Sequence, residues 1–337
     1  MIRNNIENFC RGLGLDLIGF VRCREFIELR DFLLDRKKLN LENPFEEEIL
    51  EKRINPLQYL NEGKTIISIA FPYLHNYEYK ENGFSVYTRG EDYHKVVNSY
   101  LEKICGFIET LGGKAERFVD SNPLPERYIA YLSGIGFIGK NNMLITKQYG
   151  SYVFLGEIIT DLVMESYDDD GKHLEDLLKF KECGICDLCY KNCPTKSINK
   201  NKKNSNICLS FITQKKDIDD KWFNILNGRI FGCDTCQKVC PFNKYIKYSG
   251  IKEFYPLDFM NENLTDKLIT ITKGDFNKSI KLTSCGWRGK NVLSRNSIIR
   301  KYALSKEEIE EGIYNMKFQS SYLEEYKNRI LDLSKTE

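Results

Sequence analysis

The chain has 337 residues, of which 50 are basic, 48 are acidic, 12 are cysteine and only 3 are histidine. A chain of this length can bury most of the surface that it exposes when unfolded, so its folding does not require disulfides. Its cysteine content is far below that of small secreted domains held together by disulfides, which excludes that class. The net charge of +2 gives no overall attraction to nucleic acid.

The beginning of the chain contains neither an uninterrupted apolar segment nor a small-residue cleavage site, so we do not expect a signal peptide. The longest apolar stretches, such as residues 66–71, have the length of a strand. They are far shorter than the roughly 20 residues that a helix needs to span a bilayer. The sequence therefore predicts a reduced, cytoplasmic protein without a membrane segment.

The first 165 residues alternate between helical and strand-like patterns. Such an alternation predicts an α/β or α+β domain built around a sheet. In chain order, we expect an amphipathic stretch over 6–13, a strand over 65–70, a helix over 93–111, a strand over 114–119, a helix over 126–132, and strands over 142–146 and 151–159.

The rest of the chain divides by composition. Residues 167–173 are polar and acidic, which predicts a linker or surface insertion. Cysteines are concentrated between residues 183 and 240, and a charged, helical pattern follows from about residue 253. We therefore expect three domains: residues 1–165, residues 166–250, and a helical, repeat-like region over residues 251–337.

Eight of the twelve cysteines lie within 58 residues, as C-x2-C-x2-C-x3-C-P, one isolated cysteine, and C-x2-C-x3-C-P. In bacterial ferredoxins the first spacing binds one [4Fe–4S] cluster through three cysteines, while the fourth binds the other cluster of a pair. The second run is one cysteine short, and Cys208 is the natural replacement. The spacing predicts two clusters, one bound by Cys183, Cys186, Cys189 and Cys240, and the other by Cys193, Cys208, Cys233 and Cys236.

The alternative is a pair of zinc knuckles, because C-x2-C pairs also bind tetrahedral zinc. Three cysteines in one loop and a Cys-Pro ending on each run favour iron–sulfur clusters. The other four cysteines are scattered, and we expect them to be buried like small hydrophobic residues: Cys10, Cys23, Cys105 and Cys285.

Two further motifs carry little specificity. Residues 134–139 satisfy G-x-G-x-x-G, but they follow a predicted helix and lead into extended sequence, the reverse of a dinucleotide-binding turn. His94 has a carboxylate nearby, Asp92, and either helix capping or a functional pair is compatible with that spacing. Residues 179–250 contain 14 Lys and Arg against 6 Asp and Glu, which indicates either a solvated face or an anion-binding surface.

Residues 118–144, FVDSNPLPERYIAYLSGIGFIGKNNML, are the most specific segment. They resemble the epoxyqueuosine reductase family, whose members carry V-D-[ST]-x-P-[LV]-x-E-R, G-x-G-[FW]-x-G-[KR]-[NH] and the same cysteine arrangement. The likeness extends to residues 87–95, 150–157 and 208–211. It covers most of residues 50–245 and is weak toward the C-terminus, where residues 288–296 carry most of it.

The resemblance implies an α+β fold with an N-terminal α/β cobalamin-binding catalytic domain, a ferredoxin-like domain with two [4Fe–4S] clusters, and a helical C-terminal region that contacts tRNA. The implied activity is the reduction of epoxyqueuosine to queuosine at the wobble position of tRNA anticodons, the last step of queuosine biosynthesis. A low-potential donor such as ferredoxin or flavodoxin would supply electrons through the clusters to cobalamin. We expect a monomer.

The resemblance also assigns residue roles. Asp120 matches the proton-donating aspartate, and an apolar site could raise its pKa enough to deliver protons to the epoxide oxygen. The alternative for Asp120 is an Asx-type turn before Asn122 and Pro123. The residues that match cobalamin-contacting positions are Arg53, Tyr87, Asp120, Asn141, Asn142, Ser210, Gly232 and Cys233.

Two other functions fit parts of the pattern. A cobalamin-dependent reductase of a small molecule, similar to reductive dehalogenases, would have no affinity for tRNA. A ferredoxin-like electron carrier would bind no cobalamin, and the 165 residues before the cysteines would be superfluous for it.

Overall fold

The structure is a computed structural model that describes residues 2–166, 173–304 and 314–334. Residues 167–172 of the expected linker lie outside the described residues. Within the described ranges, no helix combines the length and the apolar composition that crossing a membrane would require.

The described strands are β1 Ile18–Arg22, β2 Thr65–Pro72, β3 Ala115–Phe118, β4 Phe137–Ile138, β5 Leu144–Ile145 and β6 Val153–Thr160. The described α-helices are α1 Ile2–Gly12, α2 Arg30–Lys38, α3 Leu50–Ile54, α4 Tyr93–Thr110, α5 Glu126–Leu132, α6 His173–Leu178, α7 Leu188–Asn192, α8 Leu209–Ile212, α9 Lys221–Leu226, α10 Thr235–Lys238, α11 Thr265–Ile269, α12 Lys273–Lys278, α13 Lys290–Leu304 and α14 Ser321–Ser334.

The main sheet has the strand order β1-β2-β6-β3, and every neighbouring pair is antiparallel. This corrects the α/β description of the N-terminal part, because that class has a mostly parallel sheet. The continuous apolar run of β2 resembles a strand of a parallel sheet. Apart from Thr65 and Ser68 its residues are apolar, because β2 is a central strand and all eight of its residues are buried.

Helices cover both faces of the sheet. On one face, α1 and α4 bury Ile6, Val97 and Leu101 against Phe20 and Ile67. On the other face, α5 contacts β2 and β6. Three layers result, with the helix over residues 126–132 located where the sequence predicts it.

The C-terminal helices enclose a second core and bind the cysteine-rich region through α13. Arg295 is completely buried and donates to the carbonyl oxygens of Lys215 and Lys216 at 2.9 and 3.1 Å. Asn296 donates to those of Thr213 and Ile230, each at 2.7 Å. A buried guanidinium is costly unless it is fully hydrogen-bonded, so these contacts hold the loops after α8 and α9 in one conformation.

Candidate active site and cluster-binding residues

The eight clustered cysteines line two separate cavities. Cys183, Cys186, Cys189 and Cys240, the first cysteine set, line a small one together with Leu188 and Phe242. The second cysteine set forms part of the wall of a much larger cavity and consists of Cys193, Cys208, Cys233 and Cys236. The two groups of four coincide with those derived from the spacing, and each could hold one cluster.

Short helices bring these cysteines together. Cys189 lies on α7 and Cys236 on α10, and the two helices pack against each other. Lys140 reaches the loop that carries the first cysteine set, where its Nζ donates to the carbonyl oxygens of Gly184 and Cys186 at 2.6 and 2.8 Å. The ammonium group thus adds a positive charge beside thiolates that would bind an anionic cluster.

The large cavity has a volume of about 990 Å³. It is lined by Arg53, Tyr87, Asp120, Asn141, Asn142, Ser210 and Cys233, which are seven of the eight positions assigned to cobalamin contact. Gly232 is not among the lining residues. Its φ is +77°, and a Cβ there would lie 2.3 Å from Ser85 Oγ, so close packing against this neighbour requires glycine.

Asp120 lies in the cavity wall at the centre of a hydrogen-bond network. Its Oδ2 accepts from Tyr93 Oη at 2.7 Å and pairs with His94 Nε2 at 2.9 Å. The other ring nitrogen of His94, Nδ1, pairs with Asp92 Oδ1 at 2.7 Å. Asp120 has a φ of +43°, an uncommon conformation for a residue other than glycine, and such strain is concentrated at functional sites.

The pKa of Asp120 lies below its ordinary value. Burial alone would raise this pKa, but the hydrogen bonds from His94 and Tyr93 and the charge of His94 outweigh it. The expectation that an apolar site raises the pKa of Asp120 is therefore corrected. The segment that carries the resemblance does not show that His94 and Tyr93 stabilise the ionised carboxylate. Burial opposes the charged form of His94 as well, yet its bonds to Asp120 and Asp92 raise its pKa to about 9.

His94 is thus protonated at neutral pH, and Asp120 is ionised. Asp92 also caps α4 by accepting from the backbone N–H of His94 at 3.2 Å, so the capping and pairing alternatives for this motif are both realised. The sequence left His94 undecided because its contact with Asp120 joins residues 26 positions apart.

Two further carboxyl groups with raised pKa values, the partly buried Glu126 and the buried Glu157, are not indicated by the sequence motifs. Glu126 lines the cavity and accepts from Asn122 Nδ2 at 2.7 Å. Burial and the charge of Asp120 raise its pKa to about 7. Glu157 lies on β6, is completely buried, and has a pKa well above the ordinary value because of burial and the nearby Glu126. The sequence signal for Glu157 is that it is the single acidic residue within the apolar run of β6.

Arg127 and Lys203 also line the cavity. In the part of the chain that the structure describes, neither forms an ion pair, although Arg127 donates to the carbonyl oxygen of Asn142 at 2.7 Å. Burial and the charge of Arg127 lower the pKa of Lys203 to about 8. Glu126, Glu46 and Asp120 act on the charge of Arg127 without a direct ion pair, so its guanidinium and the Lys203 ammonium can still bind an anionic group that enters the cavity.

Residues 134–139 form a tight passage from α5 to β4. A Cβ on Gly136 would lie 2.4 Å from the carbonyl oxygen of Ile145, so this glycine permits close packing of the backbone. The segment follows a helix, as the sequence predicts, and does not have the strand-to-helix context of a dinucleotide site.

Two family models match the chain. One is "Epoxyqueuosine reductase QueG, DUF1730" over residues 53–121, and the other is "4Fe-4S double cluster binding domain" over residues 182–243. The epoxyqueuosine reductase of Bacillus anthracis is 35% identical over 310 residues, which are 88% of this chain and 79% of that protein. The chain belongs to the epoxyqueuosine reductase family. It is therefore an oxidoreductase, and the electron-carrier and zinc-knuckle alternatives no longer hold.

Solved epoxyqueuosine reductases share this fold. A crystal structure with an epoxyqueuosine-modified tRNA-Tyr stem loop has a TM-score of 0.85 and 27% identity, with 99% of both chains covered. A Bacillus subtilis epoxyqueuosine reductase, whose catalytic aspartate loop is swung out of the active site, has a TM-score of 0.86 and 28% identity, with 99% of this chain and 90% of that one covered.

Proposed function

We propose that this member of the epoxyqueuosine reductase family reduces epoxyqueuosine to queuosine at the wobble position of tRNA, with two [4Fe–4S] clusters and cobalamin as cofactors. The observation that carries the proposal is a single cavity whose wall contains both the Asp120 network and the second cysteine set. Electron delivery and proton delivery would thus meet in one cavity.

Cobalamin fits the residues that form this cavity. A volume of about 990 Å³ is at the upper end of the range for ligand cavities, as a very large cofactor requires. Asn141 is buried, and among the described residues its Nδ2 has no hydrogen-bond partner, so it can donate to an amide oxygen of the corrin. Arg53, Tyr87, Asn142 and Ser210 would complete the contacts. When bound, cobalamin supplies a metal centre that can accept and deliver single electrons.

The overall reaction fixes the number of electrons and protons that the enzyme must deliver. Conversion of the epoxide to an alkene consumes two electrons and two protons, and it releases the oxygen as water. An ionised Asp120 has no proton to give at neutral pH, whereas His94 does. We propose that His94 transfers one proton through Asp120 to the leaving oxygen, with Tyr93 orienting the carboxylate, and that reprotonation of His94 from solvent supplies the second proton by the same route.

Residues of the same cavity wall would also bind the substrate. Arg127 and Lys203 would attract a phosphate group into the cavity, because backbone phosphates dominate the affinity of proteins for nucleic acids. The matched structure with a tRNA stem loop supports a tRNA substrate over a small molecule. The protein in that structure is a relative, and this chain shares its fold.

The substitution Asp120→Ala tests the proposal. We expect loss of turnover on tRNA that carries epoxyqueuosine, because proton delivery through a positioned side chain contributes about 10²- to 10⁴-fold to a rate. Iron content and the absorbance change on adding cobalamin should match the unsubstituted protein. Turnover that persists at the original rate would refute the role of Asp120, and a protein that binds neither cobalamin nor the tRNA would refute the function.

A further inference from the structure

The two cysteine sets differ in the cavity that they line. The second set lines the cavity that substrate and cofactor would fill, whereas the first set lines a small cavity of its own. Cys183, Cys186 and Cys189 are partly buried, as are the four cysteines of the second set, so it is the position outside the large cavity that distinguishes the first set. If both sets bind clusters, electrons can enter at the first without disturbing anything bound in the large cavity.

Apolar side chains are exposed around this entry point. Ile185 lies between two cysteines of the first set and is 103% exposed, and Tyr245, five residues after Cys240, is 104% exposed. Leu188 and Phe242 border the small cavity, yet they are exposed by 41% and 39%. Isolated exposed hydrophobic residues are normal, but a group of them around one site indicates an interaction surface.

The surroundings of these apolar residues are basic. Residues 179–196 and 240–250 contain six lysines against two acidic residues, and Lys140 adds a further cation beside Gly184. Lys191 pairs with Asp187 at 3.1 Å and Lys181 with Asp176 at 3.0 Å, both on an exposed surface, where such pairs contribute little. An apolar centre with a positive rim is complementary to an acidic partner.

We propose that Ile185, Leu188, Phe242 and Tyr245, with the surrounding lysines, form the docking face for a small acidic redox protein that carries a low-potential one-electron centre. The docking face consists of these four residues and Lys181, Lys191 and Lys244. The inference rests on the proposed function and adds to it the location and chemistry of the donor. In each encounter the donor is oxidised by one electron and the first cluster is reduced by one, so two encounters serve one epoxide.

A small contact suits this partner. Electron-transfer complexes are weak and form interfaces below about 1,200 Å², because the donor must leave after each electron. Opposite charges compensate by increasing the rate of encounter, by a factor of about 10 to 10³ at low ionic strength. A tRNA is the competing occupant of a basic surface, but the residues that would process its base lie in the large cavity with the second cysteine set.

The experiment uses the full chain loaded with iron and sulfide. The double substitution Lys191→Glu and Lys244→Glu reverses the charge of the rim, and Ile185→Glu places a charge at the apolar centre. Lys278→Glu is the matched control, since Lys278 is exposed on α12 and lines neither cavity. Reduced flavodoxin is the protein donor, and the methyl viologen radical is the small reductant. The primary measurement is the stopped-flow rate of cluster bleaching without tRNA.

With reduced flavodoxin, we expect the double variant to bleach at least about tenfold more slowly at low salt, and less so at high salt, because salt screens exposed charges. Ile185→Glu should slow bleaching at every salt concentration, and Lys278→Glu should have no effect. With methyl viologen, turnover on epoxyqueuosine tRNA should be unchanged in every variant, as should the affinity for the tRNA stem loop.

Three results would overturn the docking face: unchanged bleaching by flavodoxin, an equal loss with both reductants, which indicates damage to the cluster, or a loss of tRNA affinity with donor rates retained, which indicates an RNA-binding surface. Failure of the proposed function gives a different pattern. In that case the unsubstituted protein would not turn over epoxyqueuosine tRNA even with methyl viologen.

Discussion

Replacing His94 with glutamine removes the proton that we assign to the reaction. With a pKa of about 9, His94 is mostly protonated at pH 7.5, so most enzyme molecules hold this proton. The amide N–H group of glutamine can still donate to Asp120, but glutamine cannot supply a proton. We therefore expect kcat at pH 7.5 to fall by about 10²-fold or more, the contribution of general acid catalysis.

The pH dependence separates this role from a structural one. In the unsubstituted protein, kcat should decline as the pH rises through about 9, because His94 loses its proton there. In His94→Gln the decline should move to lower pH, since Asp120 must then carry the proton itself. Single-turnover rates between pH 6 and pH 10, with methyl viologen as reductant and saturating tRNA stem loop, measure both curves.

Tyr93→Phe is the matched control, because it removes one hydrogen bond to Asp120 without changing the titrating group. Its kcat should fall less than that of His94→Gln, and its decline should stay near pH 9. If His94→Gln shows the same alkaline decline as the unsubstituted protein, the proton does not come from His94 and the reasoning is wrong.

Three other outcomes follow from the structure. Gly232→Ala should lower the free energy of unfolding by about 1–3 kcal/mol in urea titrations, because alanine is strained at a φ of +77° and its Cβ would meet Ser85; an unchanged midpoint would contradict this. Cys240→Ser should reduce the iron content from about eight to about four atoms per chain, with the remaining cluster still reducible. Finally, the raised pKa of His94 stabilises the fold fully below pH 6.5, the ordinary pKa, and this stabilisation is lost as the pH rises to about 9. The Tm of the cofactor-free protein should therefore fall more steeply over that window than the Tm of His94→Gln.

Local features of the sequence were sufficient for much of the fold. The apolar spacing of residues 93–111 predicts α4, and the Asn-Pro-Leu-Pro segment before residue 126 correctly predicts where α5 begins. Both signals lie within a few residues of the element that they specify. The sequence does not show in the same way whether neighbouring strands run parallel or antiparallel. A largely apolar run such as β2 is compatible with both kinds of neighbour.

The candidate site shows the same division. The grouping of the cysteines follows from spacing, because short loops restrict which thiolates can meet. The ionisation of Asp120 does not follow from its own segment, since its partners Tyr93 and His94 belong to another helix. Burial can raise the pKa of a carboxyl group and a neighbouring cation can lower it, so only the folded geometry decides the sign.

The pairing of β2 with β6 has a consequence for how the chain is made. Residues 73–152 separate the two strands, and a ribosome adds about 5–20 residues per second, so β2 waits about 4 to 16 s for its second neighbour. During that time a mostly apolar strand presents an unpaired edge, which is a template for aggregation. Slow translation would lengthen this interval, whereas lower temperature would weaken the hydrophobic association of exposed edges. The yield of folded protein in a heterologous host should therefore depend on chaperones that shield nascent strands.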